Sequence, residues 1–213
     1  KSKDGKGLDG EKSKLFYTYF DIVNFYKPKY FLLENVVMNK DDENIISELL
    51  GVKPIFIDSG DFSAQNRPRL YWTNIPFNKE WGKNELVIKD IKQKEVEEKY
   101  YIKDEFILND HDSKIAANLK THNESGKRRY MEMSSRVYNV NHKCATLTAV
   151  TGGGQHKKIF VDGKIRRFTP LEYERLQTVP DGYTNCVSDS QRYKMLGNGW
   201  TVDVIAHIFE GLK

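Results

Sequence analysis

The stretch from Tyr30 to Ile57 constrains the fold most. Tyr30-Phe31-Leu32-Leu33 is a short unbroken apolar run, the pattern of a strand buried on both faces. Glu34-Asn35-Val36 follows directly at its C-terminal end. Asp41 to Leu50 predicts a helix, Gly51 its C-cap, and Val52 to Ile57 the next strand. Strand, helix, strand in this rhythm predicts a parallel α/β sheet. Ligands gather beyond the C-terminal ends of the strands in such sheets, and Glu34 sits at one of those ends. Upstream, residues 1–10 read as a loop and a helical pattern begins at Glu11. Leu15, Tyr19, Ile22 and Tyr26 recur at three to four residues, with Phe16, Phe20 and Val23 beside them, until Lys27-Pro28 ends the helix.

Residues 58–68 form a polar loop leading into Leu70-Tyr71-Trp72. From about Phe77 to Phe160, charged stretches alternate with short β-like pieces, as in an inserted subdomain. Regular signals return at Arg166. Thr169-Pro170-Leu171-Glu172 is a capping box with proline at the first helical position, so a helix starts there. Asp181-Gly182 marks a turn, and a short helix covers Asp189 to Leu196 until Gly197-Asn198-Gly199 breaks it. A last helix runs from about Thr201, with Val202, Ile205, Ile208, Phe209 and Leu212 on one face. No repeat or low-complexity segment is present.

Composition narrows the class. The chain is 213 residues long and 38% hydrophobic, enough for a core and against long disorder. A net charge of +4 permits a nucleic-acid partner without arguing for one. Cys144 and Cys186 stand alone, which disfavours a disulfide framework or a zinc site and fits a reducing compartment. No apolar run approaches the roughly 18 residues of a membrane span, and the polar N-terminus is not a signal peptide.

Four segments, in one order, resemble the cytosine-5 DNA methyltransferase family. They are Phe31 to Val36 with its Glu-Asn-Val; Gln65-Asn66-Arg67-Pro68-Arg69, similar to Gln-x-Arg-x-Arg; Arg166 through Glu172, Arg175-Leu176-Gln177 and Pro180-Asp181; and Gly197-Asn198 before the last helix. Each alone is weak except the third; together they cover nearly all of the chain outside roughly 78–140. The opening Lys6 to Val23 resembles the stretch just after the family's Pro-Cys catalytic loop, and Gly197 to Val202 resembles phage and bacterial members, with Trp200 similar to eukaryotic de novo enzymes.

The resemblance implies an α/β fold. It would be part of a Rossmann-like S-adenosylmethionine-dependent methyltransferase sheet with a small mixed target-recognition subdomain. The implied boundaries are 1–77 for the core, 78–164 for the recognition subdomain and 165–213 for the return to the core. It implies transfer of a methyl group from S-adenosylmethionine to carbon 5 of a cytosine flipped out of double-stranded DNA. Attack of a thiolate on carbon 6 is eased when a carboxyl group faces ring nitrogen 3 and the exocyclic amine, the role carried over to Glu34. Arg67 and Arg69 match the positions that hold the 2-carbonyl oxygen, with guanidinium forks suited to it. Asn198, Gly199 and Trp200 match the cofactor edge. Gln65, Thr148, Gly152, Gly153, Gly154, Gln155, Lys157, Arg166 and Gln191 are carried over as DNA contacts. Lys143 and Lys158 are further phosphate candidates, and the glycines let backbone approach DNA. Outside this context Glu34 reads equally as a solvated carboxylate, the two arginines as surface ion-pair partners, Asn198 as a turn residue and Trp200 as core, while Arg166, Thr169, Pro170, Glu172 and Arg175 read as mainly structural, a helix start and a base for the recognition region. Both cysteines read as inert.

The departures matter as much. The family's Phe-x-Gly-x-Gly cofactor loop and its Pro-Cys nucleophile are not in this sequence. Three expectations follow: an N-terminal half present but omitted here, a separate subunit supplying it, or a non-catalytic remnant. A catalytically inactive DNA-binding or regulatory subunit and a transfer RNA methyltransferase of the same family are the alternatives to a DNA enzyme. A bacterial or phage-infected cytoplasm is the expected location.

Overall fold

The computed structural model describes residues 7–10, 14–120, 134–149 and 156–212. The chain divides into two compact units: residues 1–58, 68–81 and 206–213, and residues 59–67 and 82–205.

In the first unit, helix α1 (Leu15–Tyr26) ends where Lys27 turns left-handed, φ 45°, and its N–H reaches the carbonyl of Val23. Strand β1 (Leu32–Val36) follows. Helix α2 (Lys40–Leu50) is capped by the Asn39 side chain, which accepts from the Asp42 N–H, and ends at Gly51, φ 69°. Strand β2 (Ile55–Asp58) comes next. The expected polar loop then holds a 3-10 turn over Ser59–Asp61 and a two-residue strand, β3 (Gln65–Asn66), both in the second unit. Strand β4 (Pro68–Thr73) returns to the first.

The sheet order is β1-β4-β2, and β4 runs antiparallel to both neighbours. The strands flanking the helix therefore point the same way, as the strand-helix-strand rhythm requires. The expected direct parallel pairing is absent between them, because β4 inserts in the middle. That strand contributes the core: Leu70 and Trp72 pack with Phe16, Ile46 and Leu8. Trp72 is fully buried, and its indole N–H donates to Ser47 Oγ at 3.0 Å, tying the sheet to α2.

The anticipated apolar stripe of α1 is not the buried one. Phe16 is buried, with Tyr19 and Phe20 packed beside it, while Leu15, Ile22, Phe25 and Tyr26 are more than half exposed. A helix that is apolar nearly all round has more greasy faces than this unit covers.

The second unit contains helix α3 (Ile88–Ile91), strands β5 (Tyr101–Ile102), β6 (Phe106–Leu108), β7 (Ile115–Leu119), β8 (Arg136–Asn139), β9 (Cys144–Ala145), β10 (Lys158–Val161) and β11 (Lys164–Arg167), and helices α4 (Pro170–Leu176) and α5 (Asp189–Asn198). Helix α6 (Val202–Phe209) spans the division between the units. Six strands form a sheet in the order β5-β11-β10-β8-β7-β6, antiparallel except for the β10–β8 pair. β3 and β9 pair separately and in parallel, Gln65 beside Cys144.

The capping box at α4 forms as the sequence predicts: Thr169 Oγ1 accepts from the Glu172 N–H, and Glu172 accepts from the Thr169 N–H. Helix α5 continues through Gly197 and Asn198, past the expected break at 197, and stops at Gly199. On α6 the buried positions are Val204, Ile205 and Ile208, whereas Val202, Phe209 and Leu212 are partly exposed, so the apolar face is rotated from the one expected.

His156 packs edge-on against Tyr193, ring centroids 4.3 Å apart. Burial, then the nearby Arg167 and Lys158 charges, push the His156 imidazole down to about 4 from 6.5. An unfolded chain takes up a proton near pH 6.5 that the folded one refuses until about pH 4. Stability is therefore expected to fall as pH drops through that window, and His156→Gln should flatten the decline in urea titrations. An unchanged slope would remove His156 as its source.

Candidate active site and nucleic-acid interface

Glu34 lies on β1 opposite Tyr71 of β4, and Val36 lies opposite Arg69. This register brings the Arg69 side chain to the carboxylate: Nε is 2.6 Å from Glu34 Oε1, and both side chains are mostly buried. Arg69 Nη1 also donates to the Pro68 carbonyl at 2.8 Å, which fixes the guanidinium. The result is a mostly buried carboxylate, at the middle residue of β1 and not beyond the strand's end as expected, held in place by a cation. A carboxylate fixed in this way can share a proton with, or accept one from, a flat heterocycle edge without reorganising first.

The other expected site residues lie in the second unit. Arg67 is buried; Nη1 donates to the Leu147 carbonyl and Nη2 to the Gly199 carbonyl, each at 3.0 Å. Its fork grips backbone, so its observed task is internal. Gln65 is fully buried and likewise faces inward. Its Nε2 donates to the Leu176 carbonyl at 3.1 Å and to Gln177 Oε1 at 3.0 Å, and its Oε1 accepts from the Leu147 N–H at 2.7 Å.

Asn198 and Trp200 are exposed at the end of α5, Trp200 by 46%, with Gly199 between them partly covered. The turn is exposed in its side chains and tied down in its backbone, because the Gly199 carbonyl accepts from Arg67 and from Gln177 Nε2 at 3.2 Å. Trp200 is thus on the surface, not in the core. Thr148 is exposed too, and its backbone lies against α5. A Cβ at Gly197 would stand 2.3 Å from the Thr148 carbonyl oxygen and 2.4 Å from its carbon. Gly197→Ala is therefore expected to lower stability by about 1–3 kcal/mol, the range for overpacking, read as a drop in Tm. An unchanged Tm would mean that Thr148 is not seated there. Sequence reasoning treated this glycine as a helix breaker; the signal for its packing role is a buried glycine inside a helix.

Three expected DNA contacts take internal positions. Arg166 forms a two-pronged pair with Glu172 beneath α4. Lys157 is buried, with its ammonium 5.8 Å from the Tyr138 ring centroid, and burial lowers its pKa. Gln65 is described above. Among the further phosphate candidates, Lys143 donates to the carbonyls of Ser63, Asn84 and Leu86 at 2.8–3.0 Å. Lys158 donates to the Ser134 carbonyl at 2.6 Å, and burial pulls it down to about 8. An ammonium desolvated among backbone carbonyls is held by the fold, not offered to a phosphate. Gln191 is exposed on α5. Gly152, Gly153, Gly154 and Gln155 lie outside the described residues.

Cys144 is fully buried, and burial raises its thiol to about 12, so it is no thiolate at neutral pH. Among the described residues no helix is long and apolar enough to cross a membrane.

Similarity to known proteins extends along nearly the whole chain. The sequence model of the C-5 cytosine-specific DNA methylases matches residues 2–213. The type II methyltransferase M.HpaII of Haemophilus parainfluenzae is 26% identical over 93% of this chain and 64% of its own length. M.SsoII of Shigella sonnei is 29% identical over 96% of this chain and 58% of its own. This chain thus spans less than two thirds of either relative. The solved structure of the Entamoeba histolytica methyltransferase EhMeth superposes with a TM-score of 0.61 at 20% identity, over 96% of this chain and 70% of that one, which confirms the mixed α/β methyltransferase architecture. A Glu-Asn-Val strand end clasped by an arginine, a methyltransferase fold and a match from residue 2 to residue 213 lead to one assignment: the chain belongs to the C-5 cytosine-specific DNA methylase family.

Proposed function

We propose that this chain supplies the cytosine-holding part and one cofactor edge of a DNA (cytosine-5-)-methyltransferase. The observation that carries the reading is the Glu34–Arg69 pair, a carboxylate oriented by a guanidinium 2.6 Å away. A flipped cytosine presents an acceptor at ring nitrogen 3 and a donor at its amine. Glu34 meets both edges, holding a proton at nitrogen 3 and accepting from the amine. Arg69 keeps the carboxyl in the orientation this requires and is the donor nearest the base's carbonyl oxygen. Arg67 acts within the second unit, through the backbone of Leu147 and Gly199 that it holds.

The Asn198–Trp200 turn suits S-adenosylmethionine: an exposed indole and carboxamide stand on a fixed backbone, and an indole face attracts cations and stacks on flat rings. When bound, that cofactor supplies a methyl group on a positively charged sulfur. Residues 78–164 form the target-recognition part, with Thr148 and the 152–155 stretch as its DNA contacts, and Gln191 on α5 is a further one. The remaining third of a typical relative's length completes the site, from the same polypeptide or from a separate subunit. It covers the exposed Leu15, Ile22, Phe25 and Tyr26 of α1 and the outer edge of β1, which has one strand neighbour among the described residues. The complete protein acts on DNA in a bacterial or phage-infected cytoplasm, as its bacterial type II relatives suggest.

The test is a covalent trap. The completed protein, given S-adenosylmethionine and duplex DNA containing 5-fluorocytosine, is expected to form a complex that survives denaturation. No such complex on any DNA, with the protein folded, would point to a non-catalytic subunit.

A further inference from the structure

We propose, on the basis of the methyltransferase reading above, that Gln177 is a positioning residue that couples the recognition segment Thr146–Ala149 to the cofactor-facing turn Asn198–Trp200. Gln177 is fully buried just past α4. A carboxamide has two N–H donors and two acceptor lone pairs, and here all four are used. Nε2 donates to the Leu196 carbonyl at 2.6 Å and to the Gly199 carbonyl at 3.2 Å. Oε1 accepts from Gln65 Nε2 at 3.0 Å and from Thr201 Oγ1 at 2.9 Å. Swapping the amide's oxygen and nitrogen would set an oxygen against two carbonyls, so only one orientation satisfies this site.

The bonds close into a ring. Gln177 holds Gly199, Arg67 holds Gly199 and the Leu147 carbonyl, and Gln65 holds the Leu147 N–H and returns to Gln177. Each end of the ring carries an exposed side chain next to it, Thr148 at one end and Trp200 at the other. Gly197 lets the two ends touch, since Thr148 occupies the space a Cβ would need. The backbone at either end cannot shift without straining bonds at the other. Buried polar rings of this kind are cooperative and costly to leave half-made. A group that shifts the turn on binding must therefore alter the recognition segment, and thermodynamic linkage makes the effect reciprocal.

The experiment uses the completed methyltransferase with Gln177→Met, which keeps the volume and removes every side-chain bond. The first readout is the Kd of S-adenosylhomocysteine with and without target DNA. The wild type is expected to show tightening within the roughly 5–150-fold range of site coupling, and the variant a ratio near one. The second readout is amide hydrogen exchange, which needs no activity. Leu147, whose direct partner Gln65 is untouched, should exchange faster in Gln177→Met. Should that variant fail to fold, Gln65→Met gives the mirror test, with faster exchange expected at Gly199. Wild-type protection at the far end of the ring in a folded variant, or an unchanged affinity ratio, overturns the proposal. A wild type that binds and couples but transfers no methyl group to DNA would instead overturn the functional reading and leave the coupling standing.

Discussion

Replacing Glu34 with glutamine should lower turnover of the completed enzyme by roughly a hundredfold or more, the range for a positioned acid–base group. Glutamine preserves the shape of the side chain but can neither hold a transferable proton at ring nitrogen 3 nor carry the charge that fixes Arg69. The side chain is mostly but not fully enclosed, so the cost to folding should be small beside the cost to catalysis. The loss should appear in the single-turnover rate, with DNA affinity changing much less, because the carboxylate matters most as charge shifts on the ring. A single-turnover rate within twofold of wild type would remove Glu34 from the chemistry.

The second large effect concerns stability. Arg166 and Glu172 are 1% and 0% exposed, and their two-pronged contacts measure 2.7 and 2.6 Å. Glu172 also accepts the N–H groups of Gln93 and Thr169, so one carboxylate anchors β11, the start of α4 and the chain after α3. Arg166→Met would leave that carboxylate buried without its cation. Breaking one side of a buried pair costs about 3–5 kcal/mol. For a chain of this size that corresponds to a Tm roughly 6–20 °C lower. Removing both partners together, as Arg166→Met with Glu172→Leu, should cost less than Arg166→Met alone, because no charge then stays uncompensated. Equal losses in the single and double variants would show that the pair's charge is not the source.

Local signals in the sequence were the most legible. The capping box at Thr169 and the C-cap at Gly51 act within a few residues, and the structure forms both; the strand expected to end before Glu34 runs on to Val36, which makes Glu34 its central residue. What sequence could not show was anything set by distant partners. The parallel rhythm of β1 and β2 carried no sign that β4 would insert between them, because that depends on the long-range pairing of β4 with β1, such as Leu32 with Thr73. The apolar pattern of α1 matched several faces at once, and which face is buried depends on what packs against it. The arginines and lysines misled for a related reason. Arg67, Lys143, Lys157 and Lys158 have the composition of a DNA surface, yet their ends meet carbonyls or a ring inside the second unit. Charge in a sequence says nothing about direction. Gln177 was visible as part of a motif, but its four bonds run to residues from 65 to 201, and no local pattern encodes them.

The most direct test of the central claim is nucleoside analysis of the product. The completed protein would be incubated with S-adenosylmethionine carrying a labelled methyl group, with duplex DNA and transfer RNA in parallel, and both would be digested and resolved by mass spectrometry. The account predicts label in 5-methyl-2′-deoxycytidine from the DNA, lost in Glu34→Gln. Label in the RNA nucleoside alone, or none in either with the folded, completed protein, would contradict it.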